Sequence, residues 1–425
     1  MKQILLGALV LAAIGGCGSD TTTPNNNNTD TPYRPHHAQT LLFGTNDNAE
    51  VVKVIPHSSR AIVVASKARK VTLLEVTTGG LDELRSKTLF PEDTTESELT
   101  HVAISDDGTW AVLTRTKIEK DADGATTDCA GSLVFINTMD DAGFGTVLTE
   151  VPVGPMPDGA DVSPDGKWVV SANERDVVWG KCEGVEGLEG PSVSFVDVSD
   201  GPAAAIEVKR VMMAENLDRE PEQVVFSEDS DMVVVTLQDS HEVLFLDRLA
   251  ALVAADPTEA IGKVVALPKN LIDQDAWPDG VAGVEDGTGR EIFIVAGEAN
   301  DTLTILDDEG TVLHTIFVTD ADVPADFPRD GSWGPLFRPD SVTAYHRGGR
   351  SYVAASLKAS GAVGIWDVTD PTAPVKVVVE KVGKNDTATR DEESTLGTEG
   401  ISASHELGFI LTANEGESSV SLLLP

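Results

Sequence analysis

One short element returns six times along this 425-residue chain: a carboxylate, one spacer, and an aliphatic residue that opens an apolar run. It stands at Glu50-Val51-Val52, Asp158-Gly159-Ala160, Glu222-Gln223-Val224, Asp279-Gly280-Val281, Asp340-Ser341-Val342 and Glu399-Gly400-Ile401. A seventh copy, at Val102, has Thr100-His101 in place of the acid and spacer. The aliphatic positions follow one another at 50, 58, 64, 57, 61 and 59 residues. A near-constant period of this size marks a repeat architecture and narrows the fold more than any other feature. Pro157, Pro221, Pro278 and Pro339 directly precede the acid. A residue without an N–H is suited to the first position of a strand.

The same grammar continues inside each unit. A polar turn closes the first run, as in Ser105-Asp106-Asp107-Gly108, Ser163-Pro164-Asp165-Gly166 and Ser227-Glu228-Asp229-Ser230. Asp, Pro, Ser and Gly supply the backbone angles of hairpin turns. Second β-rich runs follow at 168–172, 232–236, 292–296 and 409–413, and third runs at 193–198, 243–246, 303–306 and 363–368. A weaker fourth run closes the unit, as at 312–318 and 375–379. Seven such units predict an all-β, seven-bladed β-propeller of four-stranded antiparallel blades. The last unit stops one strand short after 419–424, while 40–44 is an orphan strand ahead of the first. Pairing the two closes the last blade with an N-terminal strand and removes an open edge. Residues 247–255 read as a helical insertion in the fourth blade.

The N-terminus predicts export. Residues 4–16 are an apolar run behind Lys2, too short to span a bilayer. The run ends in Ile14-Gly15-Gly16-Cys17, which resembles a lipobox, with Cys17 as the lipidated residue; an ordinary secretory signal is the alternative. Residues 18–31 are rich in Ser, Thr, Asn, Asp, Gly and Pro, the composition of a flexible tether. The expected organisation is a signal peptide at 1–16, lipidated cysteine and tether at 17–38, and propeller at 39–425. No aspartate directly follows Cys17, which leans the expected site toward the outer membrane. In an oxidising compartment Cys129 and Cys182 are expected to form a disulfide, with two reduced buried thiols as the alternative. Formal net charge is −39, and −40 once residues 1–16 with their single charge are removed. So acidic a body repels nucleic acid and anionic headgroups.

Met156-Pro157-Asp158-Gly159-Ala160 with Ser163-Pro164-Asp165-Gly166-Lys167 and Ser171-Ala172-Asn173-Glu174, and Arg219-Glu220-Pro221-Glu222 with Val235-Thr236-Leu237-Gln238, resemble segments of the choice-of-anchor I domain family. Gly364-Ile365-Trp366-Asp367-Val368 with Asp370-Pro371, and Thr398-Glu399-Gly400-Ile401 with Ala413-Asn414-Glu415-Gly416, extend the likeness. Individual elements are shared with YVTN and LVIVD repeat propellers, so the order of the elements carries the resemblance. Ala65-Ser66-Lys67 and Leu113-Thr114-Arg115 lack the Asn-Glu pair, and Gly297-Glu298 keeps half of it. The resemblance implies a propeller fold and an exported or surface-anchored location, and brings no catalytic mechanism.

In a propeller the first strand of each blade lines the channel, so Glu50, Asp158, Glu222, Asp279, Asp340 and Glu399 are expected at one mouth. Asn173, Glu174, Gln238, Glu298, Asn414 and Glu415 end second strands on the same face, and all of them except Gln238 are expected ligand contacts. Two readings of the acids stay open. They lock blade to blade through backbone N–H groups, or they hold a cation, with calcium the metal whose oxygen-rich coordination this inventory suits. The long loops 117–131 and 175–191 would be pinned over that face by Cys129 and Cys182. His101 stands at a channel position, His36-His37 falls in the tether, and no histidine pair has metal-site spacing. Trp110, Trp168 and Trp366 read as core, Trp277 and Trp333 as loop residues able to make contacts. No nucleophile elbow, phosphate loop or heme-attachment motif is present, and no catalytic residue is assigned. The expected function is a monomeric, lipid-anchored binding or interaction module for a protein or small cationic ligand. The alternative is a metal-dependent phosphoesterase or lactonase.

Overall fold

Seven four-stranded antiparallel sheets make up the described structure, six of them sequential meanders and the seventh completed by the N-terminal strand. The computed structural model describes residues 33–425 apart from 45–46, 94–95, 176–181, 183–184, 186, 214–218, 255–260, 330–336 and 391. Blades one to six span residues 49–88, 96–153, 157–212, 221–266, 278–317 and 339–381. Blade seven combines 398–424 with the N-terminal strand His36–Leu42. That strand pairs antiparallel with Ser419–Leu424, Leu42 opposite Ser419 and His37 opposite Leu423. It begins four residues before, and ends two residues before, the orphan strand expected at 40–44. Polar pairing sets this register: Thr40 Oγ1 meets Ser421 Oγ at 3.0 Å and His37 Nε2 at 2.9 Å. His36-His37 is therefore part of the closing strand.

The core is a set of clusters, each shared by two neighbouring blades. Leu73 and Leu113 pack between blades one and two, Phe195 and Leu244 between three and four, and Ile305 and Trp366 between five and six. Leu74 and Leu422 join blade seven to blade one, completing the ring. Burying one such aliphatic side chain contributes roughly 1.5–3 kcal/mol. Trp110 and Trp366 are core residues, and Trp168 packs against the core. A short helix, Arg248–Val253, interrupts blade four where a helical insertion is expected, and Asp247 caps it by accepting from Ala250 N. No helix among the described residues is long and apolar enough to cross a membrane.

The turns obey their sequences. Ser163 Oγ donates to Asp165 Oδ1, which also accepts Lys167 N, while Gly166 adopts φ 68°. The same serine–aspartate bond recurs at Ser105–Asp107 and Ser227–Asp229.

Pairing slips in every blade at the repeated acid and spacer: between Ala49 and Val51, Leu99 and Val102, Pro157 and Gly159, Pro221 and Val224, Pro278 and Val281, Pro339 and Val342, and Thr398 and Ile401. A bulge inserts an extra residue and re-aims a side chain out of the pleat. The repeated element is thus a bulge that turns its acid toward the channel. Glycine spacers let the blades close up there. A Cβ at Gly400 would lie 2.6 Å from the Glu50 carbonyl, and one at Gly159 would lie 2.7 Å from the Glu222 carbonyl.

Candidate functional site

The six repeated carboxylates, Glu50, Asp158, Glu222, Asp279, Asp340 and Glu399, line one cavity of about 320 Å³ at the channel mouth. Thr100, in the seventh position, donates to Pro157 O at 2.8 Å and so ties blade two to blade three. Backbone locking between other blades falls deeper in the inner strands. Asp161 Oδ2 accepts Phe226 N, Ser402 Oγ accepts Val54 N, and Thr343 Oγ1 accepts Ala403 N. The acids themselves engage side chains: Glu50 bonds Ser66, Asp158 accepts from Gln223 Nε2 at 3.2 Å, and Asp340 and Glu399 bind Lys358.

Lys358 places an ammonium inside the acid ring, and sequence reasoning missed it. Its Nζ lies 2.6 Å from Glu399 Oε1, 3.2 Å from Asp340 Oδ2 and 3.9 Å from Glu298 Oε1. The signal was present. Strand register puts Lys358 one residue past the partner of Pro339, the position held by Glu174, Glu298 and Glu415 in blades three, five and seven. A charge reversal at one repeat position marks the blade that neutralises its neighbours.

The electrostatics divide accordingly. Burial, followed by Glu174, Asp158 and Asp279, pushes Glu222 well above the usual carboxylate range. Asp279 is raised by burial and then by Asp340 and Glu298, and Glu50 by burial and then by Glu399 and Glu415. Glu399 is pushed up to about 7 by burial and Asp340 against the pull of Lys358. Burial alone would lower Lys358, but Asp340, Glu399 and Glu298 outweigh it and hold the ammonium charged. Glu222 Oε2 is closed to solvent and has no hydrogen-bond partner. Deeper in the channel, burial lowers His101 to about 3, with Lys53 adding to the effect. That ring is neutral.

The second-strand residues separate into two groups. Glu415 lines the cavity, where its Oε1 accepts from Asn48 Nδ2 at 3.0 Å and meets Lys67 Nζ at 3.4 Å. Glu298 is buried and pairs with Arg338 and Lys358, and Glu174 acts on Glu222 through its charge. Asn173 and Asn414, expected as ligand contacts, are instead fully buried inside their blades. Asn173 Nδ2 donates to Ser192 and Ser194, and Asn414 Nδ2 to Ser419 and Ser421. Trp277 is half-buried, with its carbonyl accepting Glu298 N. Cys17 and Trp333 lie outside the described residues.

Among the described residues, no group of three or more His, Cys, Asp or Glu side chains could hold a metal ion as it stands. What the mouth offers is carboxylate oxygens spread around a ring, with one ammonium already seated among them. Cys129 and Cys182 are bonded to each other, their Cα atoms 5.9 Å apart, and Ile118, Met156 and Leu188 pack around them. The bond ties the extended hairpin of blade two to a loop of blade three.

Comparison with known proteins agrees with this architecture. Residues 50–215 match the choice-of-anchor I domain. The matched span runs from the first mouth carboxylate through blade three, and the resembling segments of blades four to seven lie beyond it. No curated protein sequence matches the chain significantly. Among solved structures, hydrazine synthase of Kuenenia stuttgartiensis is similar with a TM-score of 0.58 at 13% identity, over 90% of this chain and 97% of that one. The periplasmic gluconolactonase of Pseudomonas aeruginosa gives 0.56 at 14% identity, over 88% and 90%. A streptogramin B lyase gives 0.55 at 13% identity, over 91% and 96%. These likenesses establish the propeller fold alone. The choice-of-anchor I match and the disulfide both point to an exported protein.

Proposed function

We propose that this protein is an envelope-anchored binding module that captures a cationic ligand at its acidic channel mouth. The observation that carries the reading is the convergence of six carboxylates on one cavity, where Lys358 pairs with two of them and Glu222 Oε2 is left without a hydrogen-bond partner. Buried like charges raise one another's pKa until a cation or donor relieves them, so the mouth favours any positive group that fits. Calcium is the inorganic ion for such oxygens, and with this spread of carboxylates water must complete its shell. Lipidation of Cys17 and outer-membrane attachment belong to the same proposal. They are supported by the lipobox-like Ile14-Gly15-Gly16-Cys17 and the polar tether behind it.

Calorimetric titration of purified protein with calcium and with organic amines tests the ligand class. Binding of at least one cation is expected, weakening with salt and lost when Asp158→Asn, Glu222→Gln and Asp279→Asn are combined. Binding that survives the triple variant unchanged, or cation-dependent turnover of a phosphate ester or lactone that vanishes in it, would overturn the binding-module reading. For the anchor, Cys17→Ala is expected to move the protein from the membrane to the soluble fraction. Unchanged fractionation would remove lipidation from the proposal.

A further inference from the structure

We infer that the ligand of the mouth is a primary ammonium group at the end of an extended chain, bound between Asp158, Glu222 and Asp279. This rests on the cation-binding reading above and narrows it to one chemistry.

Four observations lead there. Lys358 already shows what the ring accepts: its Nζ is held by Glu399 and Asp340 at 2.6 and 3.2 Å. An ammonium has three donors and bonds to separate oxygens at such distances, whereas a metal needs its ligands to converge. No group of three acidic, histidine or cysteine side chains among the described residues could hold a metal ion. Lys358 reaches blades six and seven and Glu298 of blade five. Glu222 Oε2, in blade four, is closed to solvent with no partner, an acceptor suited to a donor from outside the chain. Deeper in the channel Lys53 stands beside Asp161 and His101 along the same cavity. A second positive charge would be repelled there, so the chain's charged tip stops at the mouth and its stem points outward.

Two sources supply this chemistry, a free linear polyamine or a lysine side chain of a partner protein. Binding brings a cation beside carboxyls whose pKa burial and mutual repulsion have raised. It therefore lowers those pKa values and releases protons.

The test is calorimetric titration of the full mature protein with n-pentylamine, cadaverine, N-acetyl-lysine methylamide and calcium, in two buffers of different ionisation enthalpy. Pentylamine is expected to bind with proton release, at least tenfold more weakly in Glu222→Gln and in Asp279→Asn. Asp200→Asn, on an exposed turn outside the site, should leave binding unchanged. Near-UV circular dichroism checks that each variant is folded, and the two site variants stand in for each other if one is not. Binding of the lysine derivative but not cadaverine supports the inference with a protein partner as source, and the reverse supports a polyamine. If calcium binds and every amine fails, the ammonium assignment falls while the cation-binding mouth stands. If nothing binds, both fall.

Discussion

Blades five to seven and blades three to five confront the same electrostatic problem and answer it differently. In the first group Asp340 and Glu399 share the Lys358 ammonium, which also lies near Glu298. In the second, Glu222 is crowded by Glu174, Asp158 and Asp279, and one of its oxygens finds no partner. Both groups are built on the same strand bulge and the same close blade contact. One residue in one blade separates a sector whose acids share an internal cation, although burial still raises Asp340 and Glu399, from one that gathers uncompensated negative charge. A repeat protein can thus create a site by changing a single copy of an otherwise uniform element.

The contrast can be broken by experiment, and the largest effect should come from Lys358→Met. Removing one member of a buried ion cluster leaves uncompensated charge and costs about 3–5 kcal/mol. Urea denaturation at pH 8 reads it, and a loss below about 1 kcal/mol would mean that the lysine does not hold the sector together. On the other side, the disulfide stiffens the rim between blades two and three. Cys129→Ser with Cys182→Ser opens a crosslink of sequence separation 53, worth up to about 4 kcal/mol in the chain-entropy description. The urea midpoint should fall, and pentylamine affinity should weaken if that rim shapes the mouth.

Gly400→Val tests the close blade contact of the acid ring where blade seven meets blade one. The new Cβ meets the Glu50 carbonyl at 2.6 Å, and overpacking of this kind costs about 1–3 kcal/mol. A neutral effect on the urea midpoint would show that the blades can draw apart. The smallest effect has the most telling sign. Glu222→Gln removes one of several mutually repelling acids and should stabilise the protein as pH rises, because burial and its acidic neighbours disfavour the charged form in the fold. Asp340→Asn, which removes a lysine partner, should destabilise it. Equal signs from urea titration of the two variants would abolish the distinction between the sectors.

The pH response follows from the same groups. Glu399 is raised from 4.5 to about 7, so between those values the folded protein holds a proton that the unfolded chain has lost. Stability should therefore decline as pH rises through that window. His57, raised by Glu406 and Asp106, acts in the same direction, and the buried His405 opposes it. Asp107, Asp165 and Asp229, whose pKa values are lowered by turn hydrogen bonds, lose their contribution only below the window. The wild type should melt at a higher temperature at pH 5 than at pH 8, and Glu399→Gln should reduce the difference, the remainder coming from Glu50, Glu222, Asp279 and Glu291, which are raised in the same direction.

Much of this was legible before any coordinates. The period of the acid–spacer–aliphatic element gave the number of blades, and the missing last strand pointed to closure by the N-terminus. The serine–aspartate turns and the Cys129–Cys182 pairing were readable too. Strand limits at the closing seam were less so, because Thr40 and His37 take their register from Ser421, a residue 381 positions away from Thr40. Asn173 and Asn414 looked like surface groups from their place at strand ends. Their amides are consumed by serines of the adjacent strand, a relation that local sequence does not display.

Local chemistry alone was enough to specify the repeating sheet, its turns and the place of each acid, since these depend on residues a few positions apart. Which acids gained an internal cation was decided by the packing of neighbouring blades. Only when Lys358 of blade six is brought against Glu399 of blade seven and Glu298 of blade five does its charge act on them. Coulomb forces depend on distance in space, and in this chain that distance exists only after blades five, six and seven have packed side by side.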